Sequence, residues 1–144
     1  MARLRGRIGG TLVLDAEGLV KLAEQHPEIY ARIKAVRTRY GEVVTAASTL
    51  AEVLRGGPSD ARLHRVLGGM TVVAIDEPQG RAAGELLGRT GLSGHRCALD
   101  ALLAVIALDQ PRPVVVLTSD PKDLGRLTEE PGRPRAERVK VVRV

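Results

Sequence analysis

Residues 99–108, with the sequence Leu-Asp-Ala-Leu-Leu-Ala-Val-Ile-Ala-Leu, form the stretch that decides the fold. They have the length and composition of a helix, and Asp100 is their only charged residue. A helix that is apolar on every side is predicted to be buried. A carboxylate in such a helix is costly without a partner, so Asp100 either starts the helix near water or faces a positive charge. A metal ion held by several carboxylates would supply that charge.

Short apolar runs that end at a carboxylate occur at two other places in the chain. Residues 11–15 read Thr-Leu-Val-Leu-Asp, and residues 114–120 read Val-Val-Val-Leu-Thr-Ser-Asp. Continuous apolar runs of this length are typical of strands that are buried on both faces of a parallel sheet. Sites in such sheets lie beyond the carboxyl ends of the strands. Asp15 and Asp120 are therefore predicted to share one sheet edge, near the start of the Asp100 helix.

Alternating helices and strands in the rest of the chain predict an α/β domain with a mainly parallel central sheet. Loops are predicted at 91–96 and 129–137. Helices are predicted at 17–25, 27–40, 46–55, 59–67, 77–87 and 121–127, with Ser59 and Asp76 as N-caps. Further strands are predicted at 42–45, 70–75 and, on a sheet edge, 139–144.

The length of 144 residues predicts one domain over residues 1–144, with residues 1–10 as a flexible basic lead. Hydrophobic residues make up 44% and charged residues 27% of the chain, which is typical of soluble globular proteins. Phe and Trp are absent, so nucleic-acid recognition by aromatic stacking platforms is not expected. The net charge of +5 favours a polyanionic partner.

Cys97 is the single cysteine, which excludes an internal disulfide and a thiolate zinc site. Packing is the favoured interpretation of this residue. No apolar run reaches the roughly 18 residues of a membrane span, and no signal peptide is evident. We therefore expect a cytoplasmic protein without membrane contact.

Carboxylates that converge at a sheet edge repel one another and stay ionised together only if a cation neutralises them. Ligation by oxygen atoms suits a hard ion such as Mg²⁺ or Mn²⁺. Such an ion can hold phosphate oxygens and activate water. A basic surface around an acidic metal pocket is the arrangement expected of a nuclease.

Four short motifs succeed one another along the chain. They are Val-Leu-Asp15, Leu-Ala-Glu52-Val-Leu, Leu-Asp100-Ala-Leu-Leu-Ala and Val-Leu-Thr118-Ser-Asp120-Pro-Lys-Asp123-Leu. In this order they resemble PIN domains, and in particular the small VapC-type toxins of toxin–antitoxin pairs. The resemblance extends from about residue 12 to residue 144.

This resemblance implies a PIN-like three-layer fold and a Mg²⁺- or Mn²⁺-dependent endoribonuclease. It also implies three kinds of partner: an RNA substrate, a small antitoxin protein that blocks the site, and a second copy of the chain in a homodimer. It carries over as metal ligands and catalytic residues Asp15, Glu52, Asp100 and Asp120, with Asp123 as a further acid and Thr118 as the hydroxyl before the fourth ligand.

Most of these residues also have a structural interpretation. Asp15 and Asp120 would serve as N-caps of the helices that follow them. Glu52 would be a solvated side chain paired with Arg55 on the same helix. Asp123 would favour the dipole of a helix from its first turn.

A non-catalytic PIN-fold module that binds RNA or protein is the alternative function. Two departures from the family pattern motivate it, because Ala16 follows Asp15 where the family often has Ser or Thr, and Cys97 stands where some members carry another acid. A receiver-like signalling domain would leave Glu52 and Asp100 unexplained. A dinucleotide-binding enzyme would need a glycine-rich loop after the first strand, which is missing.

Two further groups of residues are candidates for contact with RNA. His95 and Arg96 precede the apolar helix and would lie near a substrate at the sheet edge. The arginines of residues 133–143 form either a solvated face or a phosphate-binding surface.

Overall fold

The computed structural model describes residues 9–144, which are built around a five-stranded sheet with every strand parallel to its neighbours. The strand order is β3-β2-β1-β4-β5. This confirms the α/β prediction and places the predicted edge strand at an edge. The strands are β1 (Thr11–Leu14), β2 (Glu42–Ala46), β3 (Thr71–Val73), β4 (Val114–Thr118) and β5 (Lys140–Arg143).

Seven α-helices and three short 3₁₀ turns connect the strands in the described part of the chain. The 3₁₀ turns are Ala47–Thr49, Pro58–Asp60 and Arg135–Glu137. The helices are α1 (Ala16–Ala23), α2 (Pro27–Thr38), α3 (Leu50–Val53), α4 (Ala61–Leu67), α5 (Glu77–Thr90), α6 (Gly94–Leu108) and α7 (Pro121–Leu127).

The helices cover both faces of the sheet. Successive residues of a strand point to opposite faces, so each strand contributes side chains to two core clusters. Val13 of β1 packs in one core cluster with α5, α6 and α7, whereas Leu12 and Leu14 pack in a second cluster with α1 and α2. The result is the predicted three-layer architecture. Among residues 9–144 no single helix is long and apolar enough to cross a membrane, and the one consecutive pair that would reach the length, α5 with α6, is bent by 119°.

The helix that carries Asp100 is longer than predicted. α6 begins at Gly94, so the prediction of a loop over 91–96 is wrong for its last three residues, a glycine and two polar residues that lack the apolar signal of a core helix. Asp100 lies in the second turn of α6 rather than at its start. The prediction of burial on every side is also too strong, because Leu99 is 37% exposed.

The chain between β2 and β3 departs most from the prediction. The helix expected over 46–55 is instead the end of β2, a 3₁₀ turn and the single-turn helix α3. Ser59 does not cap α4, which begins at Ala61 after a second 3₁₀ turn. The buried Asp60 caps the loop instead, accepting hydrogen bonds from the backbone N–H groups of Gly56 (2.7 Å) and Arg55 (2.8 Å), which hold its pKa below the usual range. A carboxylate that accepts several backbone hydrogen bonds stabilises a tight turn. The apolar pattern of the sequence around Asp60 indicates a helix and gives no sign of this turn.

The segment before β5 is held by an ion pair. Arg112 donates two hydrogen bonds of 2.7 Å to Glu130, which also accepts one from the backbone N–H of Val139 at 3.2 Å. Arg133 pairs with Glu130 at 3.1 Å, and Arg138 donates to backbone carbonyls within the same segment. These contacts assign Arg133 and Arg138 of the predicted phosphate-binding run a structural role.

The N-cap prediction for Asp76 is confirmed. Its side chain accepts a hydrogen bond from the Gln79 N–H at 3.1 Å, and the Gln79 side chain accepts one from the Asp76 N–H at 2.9 Å, forming a capping box. We expect Asp76→Ala to lower the free energy of unfolding by about 1 kcal/mol, because it leaves a first-turn N–H without its partner. Urea denaturation measures this change. The exposed Asp109→Ala serves as the control and should change the stability by less than about 0.5 kcal/mol.

Candidate active site

The sheet has a topological switch point between β1 and β4. From β1 the chain builds the sheet in one direction through β2 and β3, and it then returns to place β4 and β5 on the other side. Loops diverge at such a point and leave a crevice at the carboxyl ends of the two strands. Asp15 follows β1 directly and Asp120 follows β4 by two residues, so both lie at this crevice as predicted.

Asp15 is held rigidly across the crevice. One carboxylate oxygen accepts a hydrogen bond from the Gly18 N–H at 2.9 Å, which makes Asp15 the N-cap of α1. The other accepts from the Ser119 N–H at 3.2 Å, which connects the ends of β1 and β4. Asp15 is therefore an N-cap and a site residue at once, because each carboxylate oxygen retains a further lone pair that can face a ligand.

Thr118 sets the course of the chain into Asp120. The Thr118 hydroxyl is fully buried and accepts a hydrogen bond from the Asp120 N–H at 2.9 Å. Asp120 in turn caps α7 by accepting from the Asp123 N–H at 3.3 Å. The structural interpretation of Asp120 is thus confirmed, while its side chain remains exposed at the crevice.

Asp100 projects from α6 toward the same place. Partial burial, followed by the negative charges of Asp120, Asp15 and Asp123, raises the pKa of Asp100 from 3.8 to about 6. These electrostatic effects show that four carboxylates from three parts of the chain converge. Asp100 therefore faces other negative charges, rather than a positive side chain.

Glu52 joins the cluster from the short helix α3. Partial desolvation, followed by the charges of Asp100 and Asp15, raises the pKa of its carboxyl group. The predicted pairing with Arg55 is wrong, because the Arg55 guanidinium donates to the backbone carbonyls of Ala51, Glu52 and Leu54. The break in the helix turns Glu52 toward the crevice, although the residue as a whole remains exposed.

Cys97 lies within the cluster, at the position where the family resemblance places a further acid in some members, whereas its favoured interpretation from the sequence was packing. Ligand atoms of Cys97, Asp100 and Asp123 all lie within 4.8 Å of one another, and the Cys97 thiol donates to Asp123 at 3.7 Å. Asp15, Glu52 and Asp120 are outside this closest group. Burial and the charges of Asp123 and Asp100 raise the pKa of the thiol and so favour its protonated form. The available signal was spacing, since residues three apart share a helix face.

The donor set fits a hard divalent cation. None of the ion pairs found within residues 9–144 involves a carboxylate of this cluster. The excess negative charge that raises the pKa values of Asp100 and Glu52 would be compensated by an ion bound through oxygen atoms. A protonated thiol is a poor ligand for such an ion, so Cys97 borders the site without completing it.

Two solved structures share this architecture over nearly the whole chain. One is a chain in the crystal structure of VapBC2 from Rickettsia felis bound to a DNA fragment from their promoter. It matches with a TM-score of 0.65 and 16% identity, covering 92% of this chain and 99% of that one. The fold is PIN-like. A chain of FitAB bound to an IR36 DNA fragment matches with a TM-score of 0.58 and 17% identity, covering 92% and 94% of the two chains. No protein-family model matches the sequence, and no curated protein is significantly similar to it.

The PIN-like strand order excludes the receiver-like alternative. Receiver domains have the order 2-1-3-4-5, whereas the order here is 3-2-1-4-5. Asp15 and Asp120 follow β1 and β4, whereas Glu52, Asp100 and Asp123 belong to the helices α3, α6 and α7.

His95 and Arg96 belong to the first turn of α6 rather than to a loop, and both are exposed. The charge of Arg96 lowers the pKa of the Cys97 thiol, although this effect is smaller than the opposing ones. Arg96 is therefore close enough to the carboxylate cluster to act on the Cys97 thiol within it, whereas contact between either residue and RNA stays a prediction.

The stability of the metal-free protein should depend on the charge of Asp100. The folded state takes up a proton on Asp100 at a higher pH than the unfolded chain does, so the free energy of unfolding rises as the pH falls from about 7 through 6 toward 4. After allowance for the solvent screening of a half-buried group, we expect a gain of about 1–2 kcal/mol. Urea denaturation in EDTA at pH 7.5 and 5 measures the gain, which should shrink in Asp100→Asn. An equal gain in that variant would contradict the assignment.

Proposed function

We propose that this protein is a metal-dependent endoribonuclease of the VapC type, which acts in the cytoplasm as the toxin of a toxin–antitoxin pair. The observation that carries the proposal is the convergence of Asp15, Glu52, Asp100 and Asp120 at the switch point of a PIN-like sheet, where no ion pair found within residues 9–144 neutralises them. Such a site has the charge to hold a metal, and the basic chain around it has the charge to hold RNA.

Mg²⁺ or Mn²⁺ is the proposed cofactor, held by Asp15, Asp100 and Asp120, with Glu52 and Asp123 as further acids. When bound, such an ion lowers the pKa of a water molecule and stabilises negative charge on a phosphate. The chain supplies positioning, because Asp15 is fixed by Gly18 and Ser119, and Asp120 follows a turn fixed by Thr118. Glu52, with its raised pKa, is suited to orient a water molecule or accept a proton from it.

An antitoxin protein is the proposed regulator. VapBC2 and FitAB are complexes, and in each of them one chain shares this fold. An arginine of the antitoxin placed among the carboxylates would neutralise the charge that the metal otherwise neutralises. A homodimer is part of the same proposal.

Cleavage of a labelled structured RNA tests the proposal. With Mn²⁺ or Mg²⁺ we expect cleavage that stops in EDTA and falls at least about 100-fold in Asp15→Asn. Asp109→Asn, which removes an exposed carboxylate at the far end of α6, is the matched control and should cleave normally. Circular dichroism checks that the Asp15 variant folds, because that side chain also caps α1.

The non-catalytic PIN-fold module is retained as the second candidate, because Cys97 occupies part of the close group with Asp100 and Asp123. Titration calorimetry with Mn²⁺ separates the two functions. Failure to bind Mn²⁺, together with the absence of cleavage, would contradict the nuclease and favour the binding module.

A further inference from the structure

A basic cleft lies away from the carboxylate cluster, between α2 and α4 and over the C-terminal end of α1. Its volume is about 420 Å³, and three arginines line it: Arg37 from α2 and Arg62 and Arg65 from α4. We call it the arginine cleft. Glu24 is the one acidic residue of its lining.

The positive charge of the arginine cleft is not neutralised by any ion pair found among the described residues. The ion pairs found within residues 9–144 do not include Arg62 or Arg65, both of which are exposed. Arg37 is anchored by a hydrogen bond of 2.6 Å to the Gly69 carbonyl and keeps its charge facing the cleft. Lys34 adds a further charge in an adjoining depression.

The position of the arginine cleft relates it to the carboxylate cluster through α1. That helix begins at its N-cap Asp15 in the crevice, and the residues after it, Glu24 and Gln25, line the cleft. Eight residues of helix span about 12 Å, which corresponds to the length of a few nucleotides. The chain thus separates a negative pocket from a positive one by the length of one short helix.

From this arrangement we propose that the arginine cleft binds the phosphate backbone of single-stranded RNA, a few nucleotides from the bond that the carboxylate cluster cleaves. The proposal rests on the proposed function and adds to it the site that holds the substrate. Carboxylates repel RNA, so affinity must come from cations elsewhere, and guanidinium groups match phosphate geometry. Tyr30, which borders the cleft and is 59% exposed, offers a single ring on which one base can stack, so phosphate contacts rather than an aromatic platform supply the affinity.

Binding of RNA in EDTA tests the proposal without requiring cleavage. The probe is a fluorescein-labelled single strand of about twelve nucleotides, titrated by anisotropy between about 50 and 200 mM salt. In Arg62→Gln/Arg65→Gln we expect affinity to fall roughly 10- to 30-fold near 0.1 M salt, and the salt slope to decrease by about 1 to 1.5. Arg62→Lys/Arg65→Lys, which keeps both charges, should retain the slope.

The matched control is Arg81→Gln/Arg89→Gln, which removes the same charge from exposed positions on α5, across the sheet. It should leave the salt slope unchanged. Affinity and slope equal to wild type in the cleft variant, or an equal loss in the control, would overturn the proposal and favour an acidic protein segment as the occupant of the cleft.

Cleavage assays then separate this proposal from the proposed function. A dinucleotide is too short to span both sites, so the cleft variant should cleave it at the wild-type rate while cleaving the longer RNA more slowly at low substrate concentration. An equal loss of rate on both lengths would overturn the proposal. If wild type cleaves neither RNA, the nuclease assignment fails, while the anisotropy result still decides whether the cleft binds RNA.

Discussion

Replacing Asp100 by Asn is expected to reduce metal-dependent RNA cleavage by at least about 100-fold and, at the same time, to stabilise the metal-free protein at pH 7.5 by about 1–2 kcal/mol. Both effects have one cause. Asp100 receives repulsion from Asp120, Asp15 and Asp123 in a partly desolvated position. Asn keeps the shape of the side chain but removes the charge that a metal requires and that the folded chain alone disfavours.

The measurements are RNA cleavage in Mn²⁺ and urea denaturation in EDTA, each on the same preparations. Asp109→Asn, on the same helix but exposed at its end, is the control and should change neither quantity appreciably. Retained cleavage in the Asp100 variant would contradict a nuclease centred on this cluster. Loss of cleavage without a gain in stability would show that repulsion within the cluster is weaker than the geometry indicates.

Replacing Gly10 by Ala is expected to lower the free energy of unfolding by about 3–5 kcal/mol, a large part of the 5–15 kcal/mol that holds a typical domain together. Gly10 is buried just before β1 and has a φ of +72°, in the left-handed region that side chains disfavour. A Cβ atom there would lie 2.3 Å from the carbonyl oxygen of Pro113, which also accepts the Thr11 N–H at 2.8 Å. The closest clash is with a backbone carbonyl on the β4 side of the β1–β4 pair, so it is not relieved by moving the flexible end of a side chain.

Two controls separate the contributions to this effect. Gly56→Ala has a φ of +84° but meets nothing within 4 Å, so it should show only the backbone strain of about 1–2 kcal/mol. Gly80→Ala lies in α5 with open space around it and should be neutral or stabilising by up to about 1 kcal/mol. Urea denaturation ranks the three variants. A Gly10 variant no less stable than the Gly56 variant would show that the strands yield more easily than their close packing indicates.

Gly10 also belongs to a segment whose conformation could not be predicted from the sequence pattern. The prediction of a flexible lead over residues 1–10 falls largely outside the described residues, but Gly9 and Gly10 are buried, and a Cβ on Gly9 would meet Gly41 at 2.0 Å. A pair of glycines signals either a flexible linker or a close approach of backbones. Only the position of the distant Gly41 distinguishes the two.

Local chemistry was sufficient for the elements with strong patterns. The apolar runs before Asp15 and Asp120 predicted β1 and β4, because strands buried on both faces tolerate few polar residues. The sequence Glu77-Pro78 after Asp76 predicted the start of its helix, since proline is favoured in the first turn. The turns around Glu52 and Asp60 were missed, since 3₁₀ segments of three residues are too short to show a periodicity.

By itself, the sequence determined the α/β class and the sheet edge on which Asp15 and Asp120 lie, because each depends on residues close together in the chain. Glu52 was included through the family resemblance. The tertiary structure alone decided the strand order, the approach of Asp100 and Glu52 to Asp15, and the contact between Cys97 and Asp123. It also decided that Arg37 meets Arg62 and Arg65 in one cleft. These features depend on the packing of α6, α3 and α4 against the sheet, which is set by shape and burial over the whole core rather than by any local pattern.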